Sequence, residues 1–586
     1  MAKRFVGLAA VFLAGFGVGL VLWPRLSLPV TNPWGIVGWP AIAGFHPANN
    51  ILRFLLLIAC PAVALGAARL VWPGLFAARS DSAEAAEDPP VWGWLLVALA
   101  VLAALNIPTF QAWGQMNRFH EGETLGTAMS HVAGQKPYRD YLFVHGVWQD
   151  PVRSAVAFRL FGRSIGAMRT LESSVKIAGF ALLGWLLWEA FSRRATAAFA
   201  ALLFLVALHG LVALEARWLP IPPVWIQPRD ITAMAFLLAV VRLWRRPQAG
   251  AGALFLTGFV PLASFGYSID RGFFLTATAV VAVSLLRVGV RRQGRFWLPL
   301  AAGAAAGIAA LGFLLQWQFA EFVRFTVLIM PRYKEWMDGL EYPIGQGQMW
   351  GAAALMALNL FELVRRFLGA PRWGFVSDHF LEITLCVLSF CFFRSVLGRA
   401  DFLHLWLNSW PACLLAFRLF LWPLLESLGR WGRRGVAGAS TAMALICLVQ
   451  IPRAHLPAQN FPLRRPDSVY LPADYLRAAE EIRSNLGPGE SFFTLTSEAL
   501  WYYLIDRPCP ARFPVVWFAA PHFYQQEIIR DLEGKKVKLV LYHNQAPSNF
   551  IDGIRNDRRL PLLTAYVREH YVPWRHIEGH EIWIRK

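Results

Sequence analysis

The chain has 586 residues, 56% of them hydrophobic and only 16% charged, with a formal net charge of +19. A water-soluble chain of this length covers its surface with more charge, so a soluble enzyme is excluded and an integral membrane protein is the expectation. The positive excess does not indicate nucleic acid. The basic residues stand in short clusters after apolar runs, as at Arg193/Arg194, Arg245/Arg246, Arg291/Arg292, Arg365/Arg366 and Arg433/Arg434, whereas a nucleic-acid binder needs a continuous basic face.

A spanning helix needs roughly 17–25 apolar residues. On that measure about thirteen spans are predicted, at 5–23, 52–72, 91–108, 174–191, 196–214, 231–243, 250–266, 273–287, 296–315, 349–364, 379–393, 405–422 and 436–451. Lys3 and Arg4 precede the first, which places the N-terminus in the cytoplasm. That run ends in Trp23-Pro24-Arg25 rather than at a small-residue cleavage site, so it reads as an anchor and not a signal peptide. Alternate crossing then puts every Arg-pair loop in the cytoplasm. It puts the acid-bearing loops outside: 109–173, 215–230 with Glu215, 267–272, 316–348 and 394–404.

Within the long 109–173 loop, residues 119–133 have helical spacing, which Gly134 and Pro137 break. Residues 153–170 read as a basic amphipathic helix lying along the membrane interface, its arginines reaching to headgroups. After Ile451 the composition changes. Residues 452–586 carry mixed charge, and strands at "SFFTL", "KVKLVLYH" and "HEIWIR" alternate with helices at "PADYLRAAEEIRSN", "HFYQQEIIRDLEG" and "PLLTAYVREHY". The expected fold is therefore a polytopic α-helical membrane domain, residues 1–451, followed by a small extracytoplasmic α/β domain, residues 452–586. Of six cysteines only Cys509 lies outside an apolar run, so no disulfide framework is implied.

Acidic residues are scarce enough that each outward one is informative. Glu121 and Glu123 open the helix at 119–133, where a negative charge complements the helix dipole. Asp140 stands beside Arg139 and suits a local pair; Asp150 precedes Pro151 and suits helix initiation. Asp270-Arg271 sits between two apolar segments, where an ionisable pair is either a functional site or a buried salt bridge. Arg399 and Asp401, between Gly398 and His404, present the same choice, and Arg399 suits a phosphate. His120, His145 and Glu121 offer donors for a divalent metal, but no compact spacing such as H-E-x-x-H appears and no metal ligand is assigned. No phosphate-binding loop or dinucleotide fingerprint is present.

Taken together, His120-Glu121-Gly122 followed by Gly134-Gln135-Lys136-Pro137-Tyr138-Arg139-Asp140 resembles the first large loop of GT-C fold membrane glycosyltransferases, the relatives of protein O-mannosyltransferases and lipid A aminoarabinose transferases. "YSIDRGFF" (267–274) and "LGRADFLH" (397–404) are similar to segments of bacterial members of that group. The resemblance implies a protein of the bacterial inner membrane that moves a sugar from a polyprenyl-phosphate donor to a glycan, lipid or protein acceptor on the outer face. A carboxylate takes the acceptor's proton, and cations or a metal stabilise the departing phosphate. The family carries Asp-Glu where His120-Glu121 stand. The base is then Glu121, or another acid such as Asp150 or Asp270, or His120 itself; a loss of catalysis is the remaining alternative. The residues carried forward are Glu121, His120 and Asp150 as catalytic, and Arg139, Asp140, Asp270, Arg271, Arg399 and Asp401 as substrate-binding. A transporter of lipid-linked intermediates would use the same cavity without chemistry, but its usual internal repeat is not visible. A non-catalytic scaffold for envelope assembly is the third reading.

Overall fold

The computed structural model describes residues 2–76, 88–107, 114–214, 216–245, 250–290, 296–369, 372–455 and 462–586. Glu215, Arg246, Arg291 and Arg292, which entered the charge-sorting argument, lie outside the described residues.

Nine helices among the described residues are long and apolar enough to cross a membrane, from Arg4–Arg25 to Gly429–Ile451. The other four predicted spans are helical but differ in kind. Pro90–Asn106 has 17 residues and Ile231–Arg245 has 15. Gly347–Gly369 is long but carries Glu362, Arg365 and Arg366. The stretch predicted at 405–422 is divided into Phe402–Asn408, Trp410–Ala416, a wide π turn at Phe417–Leu421 and Trp422–Ser427, with Pro411 and Pro423 opening two of the pieces. A proline lacks the N–H that a continuous helix requires there. The helices pack closely where glycine removes the side chain. A Cβ at Gly303 would lie 2.0 Å from the Phe255 carbonyl oxygen, and one at Gly258 2.2 Å from that of Leu300, so Gly250–Tyr267 and Trp297–Leu314 meet backbone to backbone.

Charge is sorted along individual helices. Ile165–Ala190 has Arg169 near its start and reaches Arg193 and Arg194 just past its end. At that end Arg245 and Arg418 both donate to the Ala190 carbonyl, Arg194 pairs with Glu426 at 2.8 Å, and Arg418 holds Glu382. Ala190, on which the basic cluster converges, lies 21 residues from Arg169, about 30 Å of helix, which is the thickness of a bilayer core.

The segment predicted as one interfacial helix at 153–170 is two. Arg153–Phe161 stops at Gly162, which has φ +85°, and a new helix starts at Ile165 with the Ser164 hydroxyl accepting from the Ala167 N–H at 3.0 Å. Its arginines do not all reach for headgroups: Arg153 pairs with Glu172 at 3.3 Å and Arg169 with Glu121, both from buried positions.

The C-terminal region forms a four-stranded sheet from β1 (Phe492–Thr494), β2 (Leu539–His543), β3 (Tyr571–Ile577) and β4 (His580–Arg585), in the order β1-β2-β4-β3. β1 and β2 are parallel and the rest antiparallel. β3 was not expected from the sequence because Pro573 interrupts it, and its place at the sheet edge is where a strand tolerates proline. Glu578 and Gly579, at φ +46° and +90°, turn it into β4. The apolar core under this sheet continues without a break into the 114–164 region, joining Leu125, Met129 and Tyr141 to Leu500, Trp501 and Tyr502. The joint is tight: a Cβ at Gly126 would fall 2.1 Å from the Ala499 carbonyl oxygen. Gly126→Ala should therefore push helix His120–Val132 off Leu500–Ile505 and cost about 1–3 kcal/mol. The measurement is the melting temperature of the detergent-purified protein, with Gly17→Ala, where a Cβ meets nothing within 4 Å, as the neutral control; equal melting of the two variants would contradict the joint.

Candidate active site

Asn117 opens helix His120–Val132, its Oδ1 accepting from the His120 N–H at 3.0 Å. At about 100° per residue, Glu121 and Glu123 point to different sides of this helix. Glu121 turns inward and is 2% exposed. Its two oxygens accept a fork from Arg169, Nε at 2.8 Å and Nη2 at 2.9 Å, and Oε2 also accepts the Asn117 N–H at 2.7 Å. Burial raises the Glu121 carboxyl above its ordinary value, while Arg169 and the Asn117 amide pull the other way. Arg169 is itself 1% exposed, donates to the Gly114 carbonyl at 2.8 Å and lies over the Tyr470 ring. The expectation that Glu121 faces a substrate cavity is corrected: both its oxygens are committed to this pair.

Glu123 turns the other way, into a cavity of about 910 Å³ that it shares with His120, His145 and Asp150. Its Oε2 lies 3.3 Å from His120 Nδ1 and 3.7 Å from His145 Nδ1; Oε1 is buried with no hydrogen-bond partner among the described residues. Asp150 accepts the His145 backbone N–H at 3.1 Å and sits 3.2 Å from His145 Nδ1. Burial works against a charge on His145, but Asp150 and Glu123 outweigh it and push the imidazole up to about 9. The two carboxylates therefore favour the charged form of the ring. Donor atoms of His120, Glu123 and His145 also lie within 4.8 Å of one another, a two-imidazole, one-carboxylate set that suits a zinc-like ion. A bound ion would displace the His145 proton. The metal option raised from sequence therefore falls on Glu123, not Glu121.

The opposite wall comes from Met330–Asp338, the end of Phe380–Gly398 and the C-terminal region. Arg399 donates to Asp401 at 2.9 Å and to Asp552 at 3.5 Å. Burial opposes its charge, yet Asp338, Asp552 and Asp401 hold the guanidinium above its ordinary value. Asp401 caps Phe402–Asn408 through the His404 N–H at 2.8 Å; against the effect of burial, His404 and Arg399 keep it well below the usual carboxylate range. Lys334 and Arg394 also line this wall, paired with Asp338 and Glu335.

Asp270 lines the cavity between the two walls, held by Ser268, by the Arg271 N–H at 2.8 Å and by Arg229 at 3.4 Å. Arg271 does not line it. Fully buried, it donates to Asp230 at 2.9 Å and to Asn408 at 2.8 Å and lies over the Phe392 ring, so its predicted substrate contact is corrected to a lock between helices. Arg139 and Asp140 are likewise absent from the cavity wall. Asp140 accepts the Lys136 N–H at 2.8 Å beside Tyr138, which has φ +63° and is buried among Phe143 and Phe322. The "PYRD" stretch builds a turn.

Among the nine sequence candidates, His120, Asp150, Asp270, Arg399 and Asp401 line one cavity. Glu123, read from the sequence only as an acid complementing the helix dipole, was signalled by its i, i+3 spacing from His120. Asp338 was visible only as one acid of the outward 316–348 loop, four residues from its partner Lys334, whereas Asp552 meets Arg399 only by tertiary packing.

No protein-family model matches the chain, and no curated protein matches it. Several solved structures are similar to it. ArnT from Cupriavidus metallidurans bound to undecaprenyl phosphate is 13% identical, with 85% of this chain and 98% of that one covered, at a TM-score of 0.41. The arabinofuranosyltransferase AftD from Mycobacteria is 13% identical over 85% of this chain and 40% of its own, at 0.40. The Archaeoglobus fulgidus oligosaccharyltransferase, in complex with zinc and sulfate, is 12% identical over 84% and 73%, at 0.36. These are GT-C fold glycosyltransferases. At such scores no residue of this chain takes a role from them.

Two outcomes follow from the geometry. Glu121→Gln leaves a buried guanidinium without its carboxylate, which typically costs 3–5 kcal/mol, so the variant should lose folded yield in detergent, whereas Glu123→Gln, which loses only part of the His145 pairing, should purify folded with a smaller drop in melting temperature. The His145 ion pair stabilises the fold fully below the unfolded histidine value of about 6.5 and is lost as pH rises through about 9. In chelator-treated protein, melting temperature should fall between about pH 7 and pH 10 more steeply for wild type than for His145→Gln. Parallel curves would mean that His145 is uncharged.

Proposed function

We propose that the cavity transfers a sugar from a polyprenyl-phosphate donor to a cell-envelope acceptor on the extracytoplasmic face of the bacterial inner membrane. The observation that carries this reading is the division of one cavity into an acid–imidazole wall, Glu123, Asp150, His120 and His145, and a facing wall of ion pairs on which Lys334, Arg394 and Arg399 stand beside Asp338, Glu335, Asp401 and Asp552. Glycosyl transfer from a phosphate needs both. The free Oε1 of Glu123 takes the proton of the acceptor hydroxyl as its oxygen attacks the anomeric carbon. The bond from that carbon to the phosphate oxygen breaks, and the phosphate leaves with the electron pair toward the cations. Asp150 orients His145, whose Nδ1 stands 3.7 Å from Glu123 Oε2. A divalent ion held by His120, Glu123 and His145 would replace the His145 proton and supply Lewis-acid stabilisation in its stead.

The lipid part of the donor is supported by a second, smaller cavity of about 410 Å³ among Pro90–Asn106, Ala195–Ala213 and Gly429–His455. Its lining is largely apolar, and Trp225 borders both cavities. A prenyl chain in membrane-embedded helices and a phosphate in the larger cavity would meet at that residue. The orientation is supported by the arginine cluster at the far ends of the same helices, which suits the cytoplasmic side.

The test is release of polyprenyl phosphate from polyprenyl-phosphate sugars by the purified protein. Glu123→Gln should reduce release by about 10²–10⁴-fold, and Asp150→Asn should reduce it less. Wild-type rates in Glu123→Gln would move the base elsewhere. If wild-type protein releases nothing but moves the labelled lipid across vesicle membranes, the transporter reading replaces this one.

A further inference from the structure

The wall of ion pairs contains two carboxylates whose second oxygens are idle. Asp338 gives Oδ2 to Lys334 at 2.7 Å, while its Oδ1 is buried with no partner among the described residues. Asp552 gives Oδ1 to Arg399 at 3.5 Å, while its Oδ2 is in the same state. The two side chains are 6% and 7% exposed, and both line the main cavity. Leaving one buried acceptor unmatched costs free energy, and two in one wall point to donors that arrive with a ligand.

The wall is built from both parts of the chain. Asp338 ends the helix Met330–Asp338; Asp552 sits at φ +58° in a turn of the C-terminal region. Arg559 pins them together, donating to the Met337 carbonyl at 3.0 Å and to that of Ile551 at 2.8 Å. Beside them Trp517 lines the cavity with its indole N–H unpartnered, and Arg399 and Arg559 lie over its ring.

We infer that Asp338, Asp552 and Trp517 form a sugar-binding subsite, in which the idle carboxylate oxygens accept hydrogen bonds from ring hydroxyls and the unpartnered indole N–H donates one. Hydroxyls supply the O–H donors that both acids lack, and a neutral polyol leaves the Arg399 and Lys334 pairs intact. A phosphate is disfavoured at these two oxygens because it brings acceptors to acceptors. The subsite takes its place in the reaction from the transferase reading, but its binding chemistry is independent of it. The sugar is either the one carried by the donor or one belonging to the acceptor.

The experiment uses the full chain in lipid nanodiscs, titrated with a panel of methyl pyranosides and followed by saturation-transfer NMR on the sugar ring protons. Wild type should bind at least one glycoside saturably. Asp552→Asn, which keeps the side-chain size and tolerates the left-handed backbone, and Asp338→Asn should each weaken that binding about tenfold. Their melting temperatures report folding separately. Release of polyprenyl phosphate is measured on the same samples. A rise in KM for the lipid-linked sugar in the variants assigns the subsite to the donor; weakened glycoside binding at unchanged donor KM assigns it to the acceptor. Saturable binding in a wild type that releases no polyprenyl phosphate keeps the subsite and sinks the transferase reading. Absence of saturable binding across the panel, or equal binding by wild type and both folded variants, overturns the subsite.

Discussion

The fork between Glu121 and Arg169 fixes the geometry on which the cavity depends. It joins the first helix of the long loop to the start of the spanning helix Ile165–Ala190, with both side chains almost fully buried. Because the two residues have rigid positions on two helices, the pair sets the rotation of His120–Val132 about its own axis. That rotation sends Glu123 into the cavity and leaves His120 at the rim. A buried pair of this kind is weak evidence of net stability, since the cost of removing both charges from water offsets most of their attraction.

The same logic recurs wherever charge is buried. Arg271, at the head of a spanning helix, satisfies its donors with Asp230, Asn408 and the Leu407 carbonyl, and so ties three helical segments together. Glu382 and Arg418 do so at the opposite end of the bundle. These groups have no spare hydrogen-bonding capacity turned toward a ligand. Glu123, Asp338 and Asp552 do, and all three line the cavity. The difference between a locked charge and an open one separates framework from site more clearly than the presence of charge.

The C-terminal region is part of the cavity as well as of the fold. Its core runs on into the loop region, and its turn around Asp552 closes one wall.

Hydropathy and charge placement were enough to read the helical membrane class, the position of most spans, the helix at 119–133 and the strand-rich C-terminal region, because these depend on local periodicity and on the cost of unpaired polar groups in lipid. The breaks at Gly162 and around Pro411 and the edge strand carrying Pro573 were harder, since they depend on what each segment packs against. Five of the cavity residues, His120, Asp150, Asp270, Arg399 and Asp401, were visible as polar or charged residues of outward loops. The choice between Glu121 and Glu123 was not, because both are acids in the first turn of one helix, and only the arrival of Arg169 from 48 residues away decides which is buried. The sequence by itself determined where charge could be tolerated along the chain. Only the tertiary structure decided which charges neutralise one another and which remain open to a substrate, because pairing depends on distances between segments that no local pattern encodes.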